Sequence, residues 1–434
     1  VSLGLTGIMG IVILLMVLFF LGMPVAFAMA IVGFVAFSYV VSFKAALSML
    51  STDFWTSFSK YGLTVIPLFI FMGQVAFYSG INEKLYNSAY KWIGHIRGGL
   101  AMATIMACAA FAAICGSNVA TAATMTSVAL PEMKKYKYEP MLSTGAIACG
   151  STLGVVIPPS VLFIVIGLNT GQSIAKLFFG GIGAGIVLAI LMMLTVYGLC
   201  IFNPEWGPVG PKTSFIEKIR ALPGAAEMVI LFLLVMVGLF CGFFTPAEAG
   251  AVGSFFAVLI SVVERRLNWK GFIAAVVDTL RISCMVIMIV SGAMIFGRFL
   301  AVTRIPYDIA TSVSLLPVPA TAIMMIIFFI YIIGGAIMDG LALLLITIPI
   351  FFPVAIKLGY DPLWFGVAIT VVSTLGAVSP PVGATSYVVG GMAKDVPLQD
   401  VFKGVLFFIP AYIFSALLLM VFPKIVTFLP NLMR

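Results

Sequence analysis

Charge is what this chain has least of. Only 9% of its 434 residues are Asp, Glu, Lys or Arg, where a soluble domain carries about 25%. That excludes an ordinary soluble fold, and with it any counting of domains from length. There is one histidine, His95, and no His-Glu-x-x-His run, so the usual signature of a zinc hydrolase is missing. The six cysteines, Cys108, Cys115, Cys149, Cys200, Cys241 and Cys284, form no Cys-x-x-Cys pair and all fall in apolar stretches. A transition-metal site is excluded on that pattern, and the cysteines read as small packing residues. No nucleophile–base pair stands out, which argues against an enzyme. The net charge of +8 is spread over short loops rather than gathered on a polar face, so it does not point to nucleic acid.

What the chain has is apolar length. Hydrophobic residues make up 62% of it and the mean hydropathy is +1.22. Repeated runs approach the roughly 20 residues of a bilayer-spanning helix. Phe (37), Met (24) and Gly (42) suit lipid-facing surfaces and close helix packing. The first run starts almost at residue 1 without a basic stretch before it, so it reads as a span rather than a signal peptide. The expectation is an all-α polytopic protein of the bacterial inner membrane.

The chain also repeats itself. Ser151-Thr152-Leu153-Gly154-Val155-Val156-Ile157-Pro158-Pro159-Ser160 returns 222 residues later as Ser373-Thr374-Leu375-Gly376-Ala377-Val378-Ser379-Pro380-Pro381-Val382, with seven of ten residues identical. At the same offset Tyr138-Glu139-Pro140 meets Tyr360-Asp361-Pro362, and Pro24 meets Pro246. At 224, Gly73-Gln74 meets Gly297-Arg298. Residues 1–202 and 223–434 therefore read as two copies of one unit, joined by a Pro/Gly-rich connector at 203–222.

Each copy shows the same order. Scaffold spans occupy 3–80 and 224–300, with an amphipathic arm inside each, at 44–60 and 268–281. A polar amphipathic stretch follows, at 82–97 and 304–316. Hairpins of two short segments follow at 99–132 and 319–356. A broken helix comes next, at 140–168 and 362–392, and a last span at 180–202 and 404–428. The hairpin segments are too short to cross, so each pair reads as a re-entrant helical hairpin. The total is about 11 transmembrane helices plus two hairpins. Lys84, Lys91, Arg97, Lys134, Lys135 and Lys137 flank the base of the first hairpin, but only Arg304 and Lys357 flank that of the second. The positive-inside rule then places the two bases on opposite sides of the membrane. The connector (Lys212, Lys218, Arg220) falls in the cytoplasm. Paired interrupted segments in inverted halves point to the binding site of a secondary transporter. A channel is disfavoured, since no repeated filter is present.

Four places hold chemistry. The first tip, Cys115-Gly116-Ser117-Asn118-Val119-Ala120-Thr121, offers a glycine break and oxygen ligands from Ser117, Asn118 and Thr121. The second, Gly334-Gly335-Ala336-Ile337-Met338-Asp339-Gly340, puts Asp339 where the first has Ser117. A carboxylate at the bilayer centre costs at least ~2.5–3.5 kcal/mol, so it needs a cation, water or a pairing arginine. The proline pairs leave upstream carbonyls without donors, near Val155–Ile157 and Ala377–Ser379, which suits a hard cation such as sodium. Ser160, Ser379 and Thr385 add hydroxyls, and Gly383 permits a tight turn. Arg298 is the candidate to meet an organic carboxylate, with snorkelling to the interface as the bland alternative. Glu248 and Glu227 read as first-turn acids that complement a helix dipole.

These residues resemble the large membrane (M) subunit of tripartite ATP-independent periplasmic (TRAP) transporters, the DctM-like family. The pieces are GMPVAFAMA at 22–30, GSNVATAAT at 116–124, IPPS at 157–160, FTPAEAGAVG at 244–253, Asp339-Gly340 and SPPVG at 379–383. The resemblance implies an elevator-type transporter of the ion transporter superfamily, driven by a Na+ gradient. It implies two partners, a small membrane subunit of about four helices and a periplasmic substrate-binding protein. Because the chain starts directly with the first span, the small subunit is expected as a separate chain. Carried over, one sodium site uses Gly116, Ser117, Asn118, Val155 and Pro158, and a second uses Gly335, Asp339, Ser379 and Gly383. Substrate lies near Ser117, Ser160 and Asp339, with Thr121, Arg298 and Thr385 as further candidates. The implied cargo is a carboxylate such as sialic acid or a C4-dicarboxylate. A stand-alone divalent-anion/sodium symporter of the same superfamily, needing no partners, is the alternative.

Overall fold

A computed structural model describes residues 3–210, 213–314 and 317–433. Among them every regular element is helical, as hydrocarbon demands of backbone groups that have no water to bond. Among the described residues ten helices are long and apolar enough to cross a membrane, and Val25–Val40, Gly99–Cys115 and Pro362–Val378 are shorter apolar ones. The ten include both arms of the second hairpin, Ala320–Ile337 and Gly340–Lys357, which at 18 residues each are longer than the sequence reading expected. The first hairpin pairs Gly99–Cys115 with Asn118–Lys135, and the second pairs Ala320–Ile337 with Gly340–Lys357. The broken helices run Pro140–Ser151, Leu153–Val156, Val161–Thr170 and, in the second half, Pro362–Val378, Ala384–Met392.

Positions 222 apart share local geometry. Lys137 and Gly359 both have left-handed φ, +57° and +83°. The next residue in each case donates its N–H five residues back, Tyr138 to Met133 and Tyr360 to Ala355. The scaffold helices interlock between halves: Val25–Val40 packs on Trp269–Val302, and Pro246–Val263 on Val65–Tyr78. Small residues permit this, since a Cβ on Gly33 would lie 2.8 Å from the Phe296 backbone. The broken helices and hairpins pack inside this frame, and Pro362–Val378 is buried at every residue from Trp364 on.

Three boundaries differ from the sequence expectation, each for a local reason. The arm at 268–281 and the following span form one helix, Trp269–Val302. Its counterpart breaks at Lys60, where Gly62 and Pro67 interrupt the pattern; nothing between Leu280 and Ser283 does so. The last span at 404–428 is three pieces, Leu398–Leu406, Ile409–Val421 and Lys424–Leu432, cut at Pro410 and Pro423. The connector ends early, because helix Phe215–Phe240 starts inside 203–222. A Ser-x-x-Glu start signal sits there: the Glu217 carboxylate accepts from the Ser214 N–H at 2.9 Å. Glu227 is therefore mid-helix rather than in a first turn. It takes two hydrogen bonds from Arg266, at 2.8 and 3.0 Å, and lies 3.5 Å from the Lys84 ammonium. Glu248 does sit in a first turn, accepting from the Thr245 N–H at 2.8 Å. Lys212 and the stretch 315–316 lie outside the described residues.

The connector is laid across the base of the first hairpin, and its backbone groups find partners there. Gly98 N–H donates to the Gly207 carbonyl at 3.0 Å, Gly210 N–H to Gly94 at 3.0 Å, and Glu139 N–H to Trp206 at 3.0 Å. The Tyr138 hydroxyl donates to the Pro208 carbonyl at 3.0 Å, and the Thr213 hydroxyl to that of Lys91 at 2.6 Å.

Candidate functional site: a cavity shared by two hairpin tips

The tips end where their glycine and cap residues dictate. Gly116 takes a left-handed φ of +62° after Cys115, a conformation that glycine adopts without strain. A Cβ there would be 2.9 Å from the Pro159 carbonyl oxygen, so the tip is pressed against the first Pro-Pro break. Ser117 then caps the returning helix, its hydroxyl accepting from the Ala120 N–H at 3.4 Å. Asp339, 222 residues on, has the same role: its carboxylate accepts from the Leu341 N–H at 2.9 Å. Among the described residues no Lys or Arg pairs with Asp339. The alternative of a structural arginine partner is therefore not realised among the described residues.

Both tips face one cavity of about 110 Å³. Gly116, Ser117, Asn118 and Val155 come from the first half, and Asp339, Gly340, Ser373, Thr374 and Ala377 from the second. The scaffold closes the opposite wall with Ile70, Gln74, Ile282, Met285 and Val286. So the cavity lies between the hairpin–broken-helix unit and the scaffold. Its polar atoms are oxygens and amides, and no Lys, Arg or His lines it. The N-termini of two helices, Asn118–Lys135 and Gly340–Lys357, begin at its edge, where partial positive charge favours an anion. The carboxylate, hydroxyls and backbone oxygens make a donor set suited to a hard cation.

The glycine of the repeated Ser-Thr-Leu-Gly run explains itself here. A Cβ on Gly154 would be 2.8 Å from the Ser117 carbonyl oxygen, and one on Gly376 would be 2.5 Å from the Gly335 Cα. Each broken helix is thus seated on the backbone of its own hairpin. Gly335 serves that contact, its own Cβ position lying 2.8 Å from the Ser373 carbonyl oxygen.

Other sequence candidates stand behind the cavity rather than in it. Thr121 is fully buried and donates to the Ser117 carbonyl at 2.7 Å. Ser160 donates to Val155 O at 2.6 Å, and Thr385 to Ala377 O at 3.0 Å. Of the carbonyls expected to be free, those of Val155 and Ala377 are therefore each met by a hydroxyl, and that of Val378 by Ser386 at 2.7 Å, each with a second lone pair remaining. Ser379 donates back to Leu375 O at 2.7 Å. Pro158 forms a cis bond with Pro159, and Pro380 with Pro381. Gly383 has φ +48° and starts helix Ala384–Met392. Arg298 is away from the cavity: its Nε and Nη2 contact the Asp53 carboxylate, both at 3.3 Å. Asp53 is 2% exposed, and a carboxylate so buried needs such a partner.

Gln74, Ser373 and Thr374 are cavity residues that the sequence reading did not assign. Gln74 is 8% exposed and its amide has no hydrogen bond to the described residues. The available signal is its match to Arg298 across the repeat. Ser373 and Thr374 lay inside the repeated motif itself; their first-half counterparts Ser151 and Thr152 are fully buried, and the Thr152 hydroxyl is 2.7 Å from that of Tyr412.

Paired helical hairpins and broken helices, converging on one polar cavity in a multi-pass apolar chain, define a secondary membrane transporter rather than an enzyme. The sequence matches the family described as "Tripartite ATP-independent periplasmic transporter, DctM component" over residues 12–425. The chain belongs to that family and is a multi-pass protein of the bacterial inner membrane. It is similar to the C4-dicarboxylate TRAP transporter large permease protein DctM of Pseudomonas aeruginosa, 31% identical over 85% of this chain and 84% of that one. It is also similar to the sialic acid TRAP transporter large permease protein SiaM of Vibrio cholerae, 30% identical over 96% of each. The YdaH transporter of Alcanivorax borkumensis shares the fold, with a TM-score of 0.62 over 88% of each chain at 14% identity. Membership implies a small membrane subunit and a substrate-binding protein as partners.

Proposed function

We propose that this chain imports an organic acid, a C4-dicarboxylate or sialic acid, together with Na+ taken down its gradient. The observation that carries the reading is the Asp339 carboxylate, which has no cationic side chain beside it and faces the same cavity as the Ser117 tip. A cation bound there neutralises it. The helix N-termini and hydroxyls then meet an anionic substrate in a pocket without arginine. The hairpins and broken helices move together against the scaffold, because the cavity lies on the boundary between those two units. Their halves are inverted across the membrane, with the connector in the cytoplasm. A small membrane subunit of about four helices accompanies it, and a periplasmic protein delivers the acid.

The test is uptake of labelled succinate and labelled N-acetylneuraminate into proteoliposomes holding the large and small subunits, with the cognate binding protein outside. An inward Na+ gradient should drive uptake, and a sodium ionophore should collapse it. Equal uptake with K+ in place of Na+ would overturn the coupling. Full uptake without the binding protein would overturn the delivery step.

A further inference from the structure

The two halves offer the moving unit two places to rest, and only one is used in this conformation. In the first half, Gly73 receives the end of hairpin 1. A Cβ on Gly73 would sit 2.9 Å from the Cys115 Cα and 3.0 Å from the Ile114 carbonyl oxygen. Beside it, Gln74 points its unpartnered amide into the cavity.

The matching pair in the second half is Gly297-Arg298, and local geometry fixes the register. Ser79 and Thr303, six residues after the glycines, both donate their hydroxyls three residues back, to Ala76 and Leu300 at 3.0 and 2.9 Å. Gly80 and Arg304, next along, both take left-handed φ, +71° and +58°. Yet nothing lies within 4 Å of a Cβ placed on Gly297. A glycine inside a helix costs about 1 kcal/mol relative to alanine, and no contact in this conformation calls for one. The space beside it is an open groove walled by Arg304, Tyr307 and Pro349, the last on the returning arm of hairpin 2. The residue equivalent to Cys115 at the end of hairpin 2 is Ile337.

We propose that Gly297 and Arg298 form the second resting place: in the alternate state the Ile337 end of hairpin 2 seats on Gly297, and Arg298 faces the substrate carboxylate. This rests on the proposed movement of hairpins against scaffold. Arg298 need not release Asp53 to do it. Nε and Nη2 are held by the buried carboxylate, while Nη1 donates to nothing among the described residues and the side chain is 60% exposed. A guanidinium fixed on one edge presents the other edge ready to bond. Asp53 is then a positioning residue. The acid meets a neutral amide, Gln74, in one state and a guanidinium in the other.

The test is a cross-link. Gly297→Cys and Ile337→Cys are introduced with Cys241→Ser and Cys284→Ser, which removes the two exposed native thiols. The full transporter is oxidised in native membranes and the product read by mass spectrometry. A disulfide needs Cβ atoms about 3.8 Å apart, and the open space at Gly297 prevents it in the conformation described. The cross-link should form, and reductant should restore the uptake it blocks. A second reading separates the parent idea from this one. Cys115 lines the cavity, so its labelling by an impermeant maleimide should change when Na+ is added. Labelling that changes without any cross-link overturns the resting place and leaves the movement standing; labelling and cross-linking both absent overturn both. For Arg298, Arg298→Gln should leave the cross-link intact and raise the KM for succinate or N-acetylneuraminate at least ten-fold. An unchanged KM overturns its role, and failure of the wild type to carry either acid overturns that role along with the organic-acid reading.

Discussion

The Ser160 hydroxyl donates to the Val155 carbonyl at 2.6 Å across the first Pro-Pro break. The carbonyl 222 residues later, that of Ala377, is also met by a hydroxyl, but from Thr385 at 3.0 Å. Val382, the sequence equivalent of Ser160, has no hydroxyl to give. The two breaks thus solve one problem with different residues. A carbonyl orphaned by proline in a dry interior must be paired, and each half supplies a donor from the far side of its own break. Both carbonyl-bearing residues line the cavity, so the pairing also sets where the remaining lone pairs can point.

Ser160→Ala removes that donor from a buried site and should destabilise the protein by roughly 1–3 kcal/mol, read as a lower melting temperature in detergent. It should also raise the Na+ concentration for half-maximal uptake, because the Val155 backbone is no longer held. A melting curve and sodium titration that both match wild type would remove Ser160 from any role in shaping the site.

Gly154→Ala and Gly376→Ala should each cost about 1–3 kcal/mol by overpacking and sharply reduce uptake. The added methyl meets backbone in both cases, the Ser117 carbonyl oxygen at 2.8 Å and the Gly335 Cα at 2.5 Å, and backbone cannot swing aside as a side chain can. Gly198→Ala is the control. It meets nothing within 4 Å and lies in helix Ile174–Phe202, so it should be neutral or stabilising by about 0.5–1 kcal/mol. Equal melting behaviour of all three variants would sink the seating argument.

Much of this was legible in the sequence, for reasons that differ by element. The hairpin tips showed because glycine, serine, asparagine and aspartate stand out against uninterrupted hydrophobes, and the structure puts Gly116–Asn118 and Asp339 on one cavity. The broken helices showed because proline cannot continue a helix. Burial was not legible. Thr121, Ser160 and Thr385 have the same chemistry as Ser117, and only packing decides that their hydroxyls satisfy nearby carbonyls. Nor could the sequence show that Arg298 has a partner 245 residues away, or that Gln74 closes the cavity from the scaffold. Both depend on helices brought together from opposite halves.

The exposed pair Lys134–Asp395, 2.7 Å apart, links the base of hairpin 1 to the loop after the second broken helix. The hydrogen bond from Lys134, and then its charge, hold the Asp395 carboxyl below the usual carboxylate value. For an acid whose pKa is lowered on folding, the contribution is complete above the unfolded value of about 3.9. It is lost as the pH falls through the lowered folded value. Lys134→Ala should therefore leave the melting temperature nearly unchanged between about pH 5 and 8, since both side chains are solvated and screened. The two proteins should converge further as the pH drops below about 4. A large loss at neutral pH in 0.15 M salt would mean that the pair is doing more than its exposure allows.

Asp339→Asn is the decisive substitution for the proposed coupling. The side chain keeps its size and retains an oxygen able to accept from the Leu341 N–H, so the cap at 2.9 Å survives and the fold should melt within a few degrees of wild type. What disappears is the negative charge. With no Lys or Arg in the cavity lining, that charge is the main attraction for a cation. Na+-driven uptake should fall at least 100-fold, a loss of about 2.7 kcal/mol by the usual conversion, and raising external Na+ should not restore it. Asp339→Glu should retain part of the activity with altered sodium affinity, since it keeps the charge and moves it by one methylene. Wild-type uptake by Asp339→Asn at low sodium would show that the carboxylate serves only as a helix cap, and the coupling would then have to be sought among the hydroxyls and carbonyls of the same cavity.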